Sequence, residues 1–153
     1  MTEIEDFADS HPKFAEMLEE FKMLTDPNMR ADYLIYYAEK FHEVPESISI
    51  KPYPNSNKVP GCESQAYVWA IDKEDGTIKY YFAVENPQGI SAKAMAAILD
   101  ELTEDTPLDI IATIPTEIVY SLFGSNLPMV RSSGLQNMVA MVRAEAKRRI
   151  LNN

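Results

Sequence analysis

The stretch Lys58-Val59-Pro60-Gly61-Cys62-Glu63-Ser64-Gln65-Ala66-Tyr67-Val68-Trp69 runs from turn-forming residues straight into a strand pattern, and it carries the only cysteine of the chain. Cysteines of a protein core usually sit in apolar runs. Cys62 instead follows Pro-Gly and precedes Glu, Ser and Gln, which argues for a thiol open to solvent or to a partner. Beyond it, Gln65, Tyr67, Trp69 and Ile71 alternate with Ala66, Val68 and Ala70, so one face is bulky and the other small, as expected of a strand covered on both sides. Lys73-Glu74-Asp75-Gly76-Thr77 turns the chain, and Ile78, Tyr80, Phe82 and Val84 continue as a second, antiparallel strand.

Outward from this hairpin the period changes. On the N-terminal side, residues 42–60 carry Pro45, Pro52, Pro54 and Pro60 with Asn55, Ser56 and Asn57, which predicts a loop that delivers the cysteine. Before the loop, Phe14, Met17, Leu18, Phe21 and Leu24 predict an amphipathic helix after His11-Pro12. Asp26-Pro27 then caps a helix marked by Tyr33, Leu34, Tyr37, Ala38 and Phe41, so two helices are expected before Cys62. On the C-terminal side, Met95, Ile98, Leu99 and Leu102 predict a helix that Ser91 caps. A short helix with Asp109 in its first turn starts at Thr106-Pro107, and another runs from about Pro115 to Phe123, stopped by Gly124. Leu135, Met138, Val139, Val142 and Ala146 place the last helix's apolar stripe, with Arg143, Lys147, Arg148 and Arg149 where the helix dipole favours cations.

At 153 residues the expectation is a single domain over residues 1–153. The formal charge of -10 disfavours nucleic acid, whose binding rests on Lys and Arg displacing counterions, and an acidic surface disfavours membranes. No apolar stretch approaches the roughly 20 residues that span a bilayer. One cysteine forms no internal disulfide, and the acidic start Met1-Thr2-Glu3-Ile4-Glu5-Asp6 is unlike a signal or transit peptide. The expected location is cytoplasmic, or plastid or mitochondrial if a transit peptide has been removed.

The chemistry open to these residues is narrow. A cysteine hydrolase needs a histidine base, and the chain has only His11 and His42, each placed at a helix end where a capping role suffices. Structural zinc and iron-sulfur sites need more Cys and His ligands than the chain has, so neither metal nor cofactor is expected. The acidic clusters Glu16-Glu19-Glu20 and Asp100-Glu101-Glu104-Asp105 read as solvated helix faces. A thiolate can still attack the outer sulfur of a persulfide without cofactor or second cysteine. Lys58 would favour that thiolate and Glu63 oppose it, while a distant cation such as Arg131 would have to be brought near by the fold. An inert Cys62 acting as a small hydrophobe, or a redox-sensing one, remains open at this point.

Gly61-Cys62-Glu63-Ser64-Gln65, preceded by Asn57-Lys58-Val59, resembles the Gly-Cys-X-Ser-Gln motif of the SufE family of sulfur acceptors. Leu127-Pro128-Met129-Val130-Arg131-Ser132-Ser133-Gly134-Leu135, with Met138, resembles the family's second motif, in which Arg-Ser-X-Gly-Leu opens the final helix. Two departures stand out: Pro128-Met129-Val130 where many members have Thr-Pro-Ser, and Tyr67 with Trp69 where a Trp often follows Ser-Gln-Val. The resemblance implies an α+β fold similar to the IscU scaffold proteins, with helices packed on one side of a small antiparallel sheet. It also implies that Cys62 accepts persulfide sulfur from a SufS-type cysteine desulfurase, stimulates it, and relays sulfur to iron-sulfur scaffold proteins. Pyridoxal phosphate then belongs to the partner alone. In this reading Gly61 gives the loop its turn, Ser64 and Gln65 shape its base, and Arg131 lies near the desulfurase contact or the thiol. The alternative is a binding-only regulator that activates a desulfurase without carrying sulfur.

Overall fold

The alternation after Cys62 forms β1 (Ala66–Asp72), which pairs antiparallel with β2 (Ile78–Val84) in a register running from Ala66 opposite Val84 to Asp72 opposite Ile78. The structure, a computed structural model, describes residues 2–125, 127 and 129–152. In the connecting turn the Asp75 carboxylate accepts hydrogen bonds from Thr77 N at 3.0 Å and Thr77 Oγ1 at 2.6 Å, and Gly76 takes the left-handed φ of 88°. Because residues opposite each other share a face, small Ala66 and Val68 stand beside Val84 and Phe82, while Tyr67 and Trp69 stand beside Ala83 and Tyr81. The first set joins the main core under the helices. The second packs with Val44, Tyr53 and Ile48 from the proline-rich segment, so both faces are covered, one of them by helices.

That segment also finishes the sheet's edges, whose unpaired backbone groups would otherwise template aggregation. Along β2, Val44 N donates to Phe82 O at 2.8 Å and the Glu43 carboxylate accepts from Val84 N at 2.9 Å. Along β1, Lys58 bridges Tyr67, and Asn57 Nδ2 donates to Val68 O at 2.8 Å. Its regular structure is one 3-10 turn, Asn55–Asn57.

Three helices, rather than the two expected, precede Cys62. The addition is α1 (Glu3–Ser10), hidden in a stretch that looked merely acidic. Thr2 and Glu5 form a reciprocal capping box, and acidic residues in a first turn suit the helix dipole. A helix this short is marginal alone, since roughly 12–15 residues are needed in water. Burial of Phe7, worth about 1.5–3 kcal/mol, holds it to the core. α2 (Pro12–Lys22) and α3 (Pro27–Glu39) follow, the latter capped by Asp26 as expected.

α4 (Ile90–Thr103) is the central helix, buried at Ala92, Ala94, Met95, Ala96, Ile98, Leu99 and Leu102, and it packs against α3 and β2. Ser91 is not its cap: the helix begins one residue earlier, Gly89 holds the N-cap position, and no side chain caps it. α5 (Leu108–Ile111) is short, with Asp109 in its first turn. α6 (Ile118–Phe123) starts later than expected and ends at Gly124, whose φ of 94° only glycine adopts easily. α7 (Met129–Leu151) buries the expected stripe Leu135, Met138, Val139, Val142 and Ala146. No helix among the described residues is long and apolar enough to cross a membrane.

Candidate functional site around Cys62

The loop bearing the thiol is a closed structure. Val59 N donates to Ala66 O at 2.8 Å, so residues 60–65 form a loop standing on the edge of β1. Within it Gln65 N donates to Cys62 O at 3.2 Å, and both turning points are left-handed, with φ of 68° at Gly61 and 52° at Gln65. The carbonyls of Ser64 and Gln65 accept from Asn86 N and Glu85 N, each at 3.2 Å, which ties the loop's base to the chain leaving β2. From α7, Asn137 Nδ2 donates to Pro60 O at 2.9 Å.

Cys62 itself is a free thiol, half-buried against the edge of the main core. Its side chain lines a cleft of about 340 Å³ together with Ser64, Gly89, Ser91, Arg131 and Leu135. A second cleft, lined by Asn55, Lys58, Pro60 and Glu63, reaches Cys62 from the other side of the loop. The fold thus brings Arg131 to the wall of the thiol's cleft across the length of the sequence that separates them. Arg131 is exposed, so its charge is available to an anion entering the cleft. Ser64 lines the cleft, whereas Gln65 contributes through its backbone and its exposed side chain is absent from both cleft walls.

Neither histidine joins this site. His11 caps α2, its Nδ1 accepting from Phe14 N at 3.1 Å, while Nε2 lies 2.7 Å from Leu102 O and must donate to it. His42 is exposed and lines a separate cleft with Tyr37 and Glu101. Among the described residues no group of three or more His, Cys, Asp or Glu side chains is placed to hold a metal. The second motif opens α7, with Arg131 and Leu135 beside the thiol; Pro128 lies outside the described residues. Ser132, buried, accepts a hydrogen bond at 3.2 Å from the Tyr120 hydroxyl, which anchors this first part of α7 to α6.

Residues of the site that the sequence does not single out for it include Gly89, Ser91 and Asn137. Ser91 reads in the sequence as a helix cap, and Asn137 carries no local signal at all. The glycine of Asn86-Pro87-Gln88-Gly89 was legible as a turn residue but not as a wall of the thiol's cleft.

Comparison with known proteins shows the family. Residues 15–146 match the SufE family model, described as Fe-S metabolism associated domain. An uncharacterised SufE-like protein of Synechocystis sp. is 30% identical over 135 residues, covering 88% of this chain and 80% of the relative. A SufE-like protein of Rhizobium etli is 31% identical over 142 residues, covering 86% of this chain and 88% of the relative. The solution structure of a hypothetical protein from Thermus thermophilus superposes with a TM-score of 0.72 at 24% identity, covering 92% of this chain and 98% of that one, which shows the shared fold. A family match over most of the chain, joined to this α+β architecture, places the protein in the SufE family, whose domain is associated with Fe-S metabolism.

Proposed function

We propose that this chain is a sulfur acceptor, taking persulfide sulfur onto Cys62 from a SufS-type cysteine desulfurase and relaying it to iron-sulfur scaffold proteins. The observation that supports it best is the lone, half-buried Cys62 on a loop open to clefts from two sides, one of them walled by Arg131. In the transfer the Cys62 thiolate attacks the outer sulfur of the donor's persulfide. The new S–S bond forms on Cys62, the donor's S–S bond breaks, and the donor cysteine leaves as a thiolate. Electrons and sulfur balance without oxidant, reductant or metal. Clearing the donor's persulfide returns its nucleophile, which is how acceptance stimulates desulfurase turnover.

The roles divide by position. Gly61 sets the turn, Ser64 and the Gln65 backbone anchor the loop, and Arg131 offers positive potential to the anions formed on either side of the exchange. Pyridoxal phosphate stays with the desulfurase, and this chain brings no cofactor. The acidic charge favours protein partners over nucleic acid or membranes. The proposed location is the cytoplasm, or a plastid or mitochondrion where a transit peptide directs it.

The test is alanine production by a SufS-type desulfurase in the presence of this protein or its Cys62→Ser variant. Loss of stimulation with binding retained supports sulfur acceptance. Full stimulation by the variant contradicts it and assigns activation to contact alone.

A further inference from the structure

We infer that Gly134 and Asn137 of α7 form a seat for the Cys62 loop, and that Gly134 is a positioning residue setting how far the thiol, and the sulfur it would carry, is exposed. The inference rests on the reading of Cys62 as an acceptor for its significance, but its test does not.

Glycine is the least favourable residue after proline in a helix interior, and Gly134 lies within the second turn of the long α7. Its φ is not in the left-handed region, so backbone conformation does not demand it. Space does. A Cβ built at Gly134 would stand 2.8 Å from Cys62 Cα, 3.0 Å from Gly61 O and 3.2 Å from Cys62 Cβ. The two nearest of these are backbone atoms, so no rotamer change relieves the overlap; the loop or the helix must move. Asn137 is three residues on, hence on the same helix face, and its amide holds Pro60 O at 2.9 Å. Gly134 therefore admits the loop backbone onto the helix, and Asn137 grips it there.

Across the cleft, Gly89 makes room for a side chain of the loop: a Cβ there would meet Ser64 Oγ at 2.7 Å and Ser64 Cβ at 2.9 Å. Two helices, α4 at its start and α7 near its start, are thus pared to backbone where they meet the loop. The hydrogen bonds at Val59, Ser64 and Gln65 fix only the loop's base. Residues 60–63 are retained by the α7 seat, and weakening the seat shifts the population toward a raised loop.

The experiment measures the rate of Cys62 alkylation by iodoacetamide, a small neutral probe, by intact mass on the wild type, Gly134→Ala and Asn137→Ala, with far-UV circular dichroism and Tm for each. The expected result is a rate about tenfold higher in Gly134→Ala and about threefold higher in Asn137→Ala, at wild-type helix content. The enhanced rates should be insensitive to low urea, as local opening is and global unfolding is not. If Gly134→Ala does not fold, Asn137→Ala decides. Folded variants that alkylate at the wild-type rate, or more slowly, overturn the inference. No desulfurase is used, so a chain that fails to accept sulfur and a loop that is not seated on α7 give separate negative results.

Discussion

The amide of Val59 and the carbonyl of Ala66 meet at 2.8 Å, and this backbone bond closes the cysteine loop on the edge of the sheet. Everything between the two residues must turn back within residues 60–65, which forces left-handed backbone at Gly61 and Gln65. An Ala at position 61 would hold its Cβ against the following carbonyl, a cost of about 1–2 kcal/mol, which Asn tolerates better. Gly61→Ala is expected to lower the unfolding free energy by about that amount and to slow sulfur acceptance, with Gly61→Asn intermediate, as urea denaturation and persulfide formation would show.

Arg131 supplies a different handle on the same cleft. An exposed cation beside a thiol attracts anionic reagents without affecting neutral ones, and salt screens the attraction. For Arg131→Ala, the reaction of Cys62 with the anionic disulfide DTNB should slow by about three- to tenfold at low salt, while iodoacetamide reacts nearly as before. The difference should vanish near 1 M salt. Equal slowing of both reagents would show that Arg131 acts on the loop's structure rather than through its field.

His11 is bonded through both ring nitrogens, to Phe14 N and Leu102 O, and is buried. Its removal takes away a helix cap and one of two hydrogen bonds to Leu102 O, which keeps the Thr106 hydroxyl at 2.8 Å. His11→Ala is expected to destabilise the protein by about 1–3 kcal/mol in urea while leaving the rate of sulfur acceptance by the folded protein unchanged. A fall in that rate without loss of stability would give the histidine a chemical role that its geometry denies.

The tyrosines predict an alkaline limit to stability. Burial is the main cause that raises the phenols of Tyr80 and Tyr37 above the ordinary tyrosine range, with Glu101 adding to the effect at Tyr37 and Arg149 opposing it at Tyr80. Tyr33 is pushed up to about 12 by burial and by its hydrogen bond to Glu20. The unfolded chain releases these protons from about pH 10, before the folded one does, so their stabilisation is whole below that pH and is lost as pH rises through the folded values. The urea midpoint should fall steadily above about pH 10. Tyr80→Phe, which loses the 2.7 Å bond to Val142 O and about 1 kcal/mol at neutral pH, should show a shallower fall.

Legibility in the sequence followed the range of the interactions. The β1 alternation is readable because each residue's face is a local property, and Pro60-Gly61 marks the loop of the cysteine for the same reason, whereas the half-burial of the thiol depends on tertiary packing. α1 was missed because its capping box and short apolar stripe lie within a run dominated by carboxylates. Ser91 was misassigned because a serine near a helix start is a common cap, whereas here the helix begins before it. The family motif pointed to Gly134 and Arg131, but that one makes room for the Cys62 backbone and the other walls its cleft depends on tertiary contact between distant segments. Asn137 had no signal because its partner is a backbone carbonyl, which leaves no mark on sequence.

The most direct test of the account is intact-mass spectrometry, with peptide mapping, after the protein is incubated with a SufS-type desulfurase and free cysteine without reductant. The account predicts a gain of one or more sulfur masses on the Cys62 peptide, reversed by a thiol reductant. An unchanged mass, with the desulfurase active and bound to the chain, would contradict it.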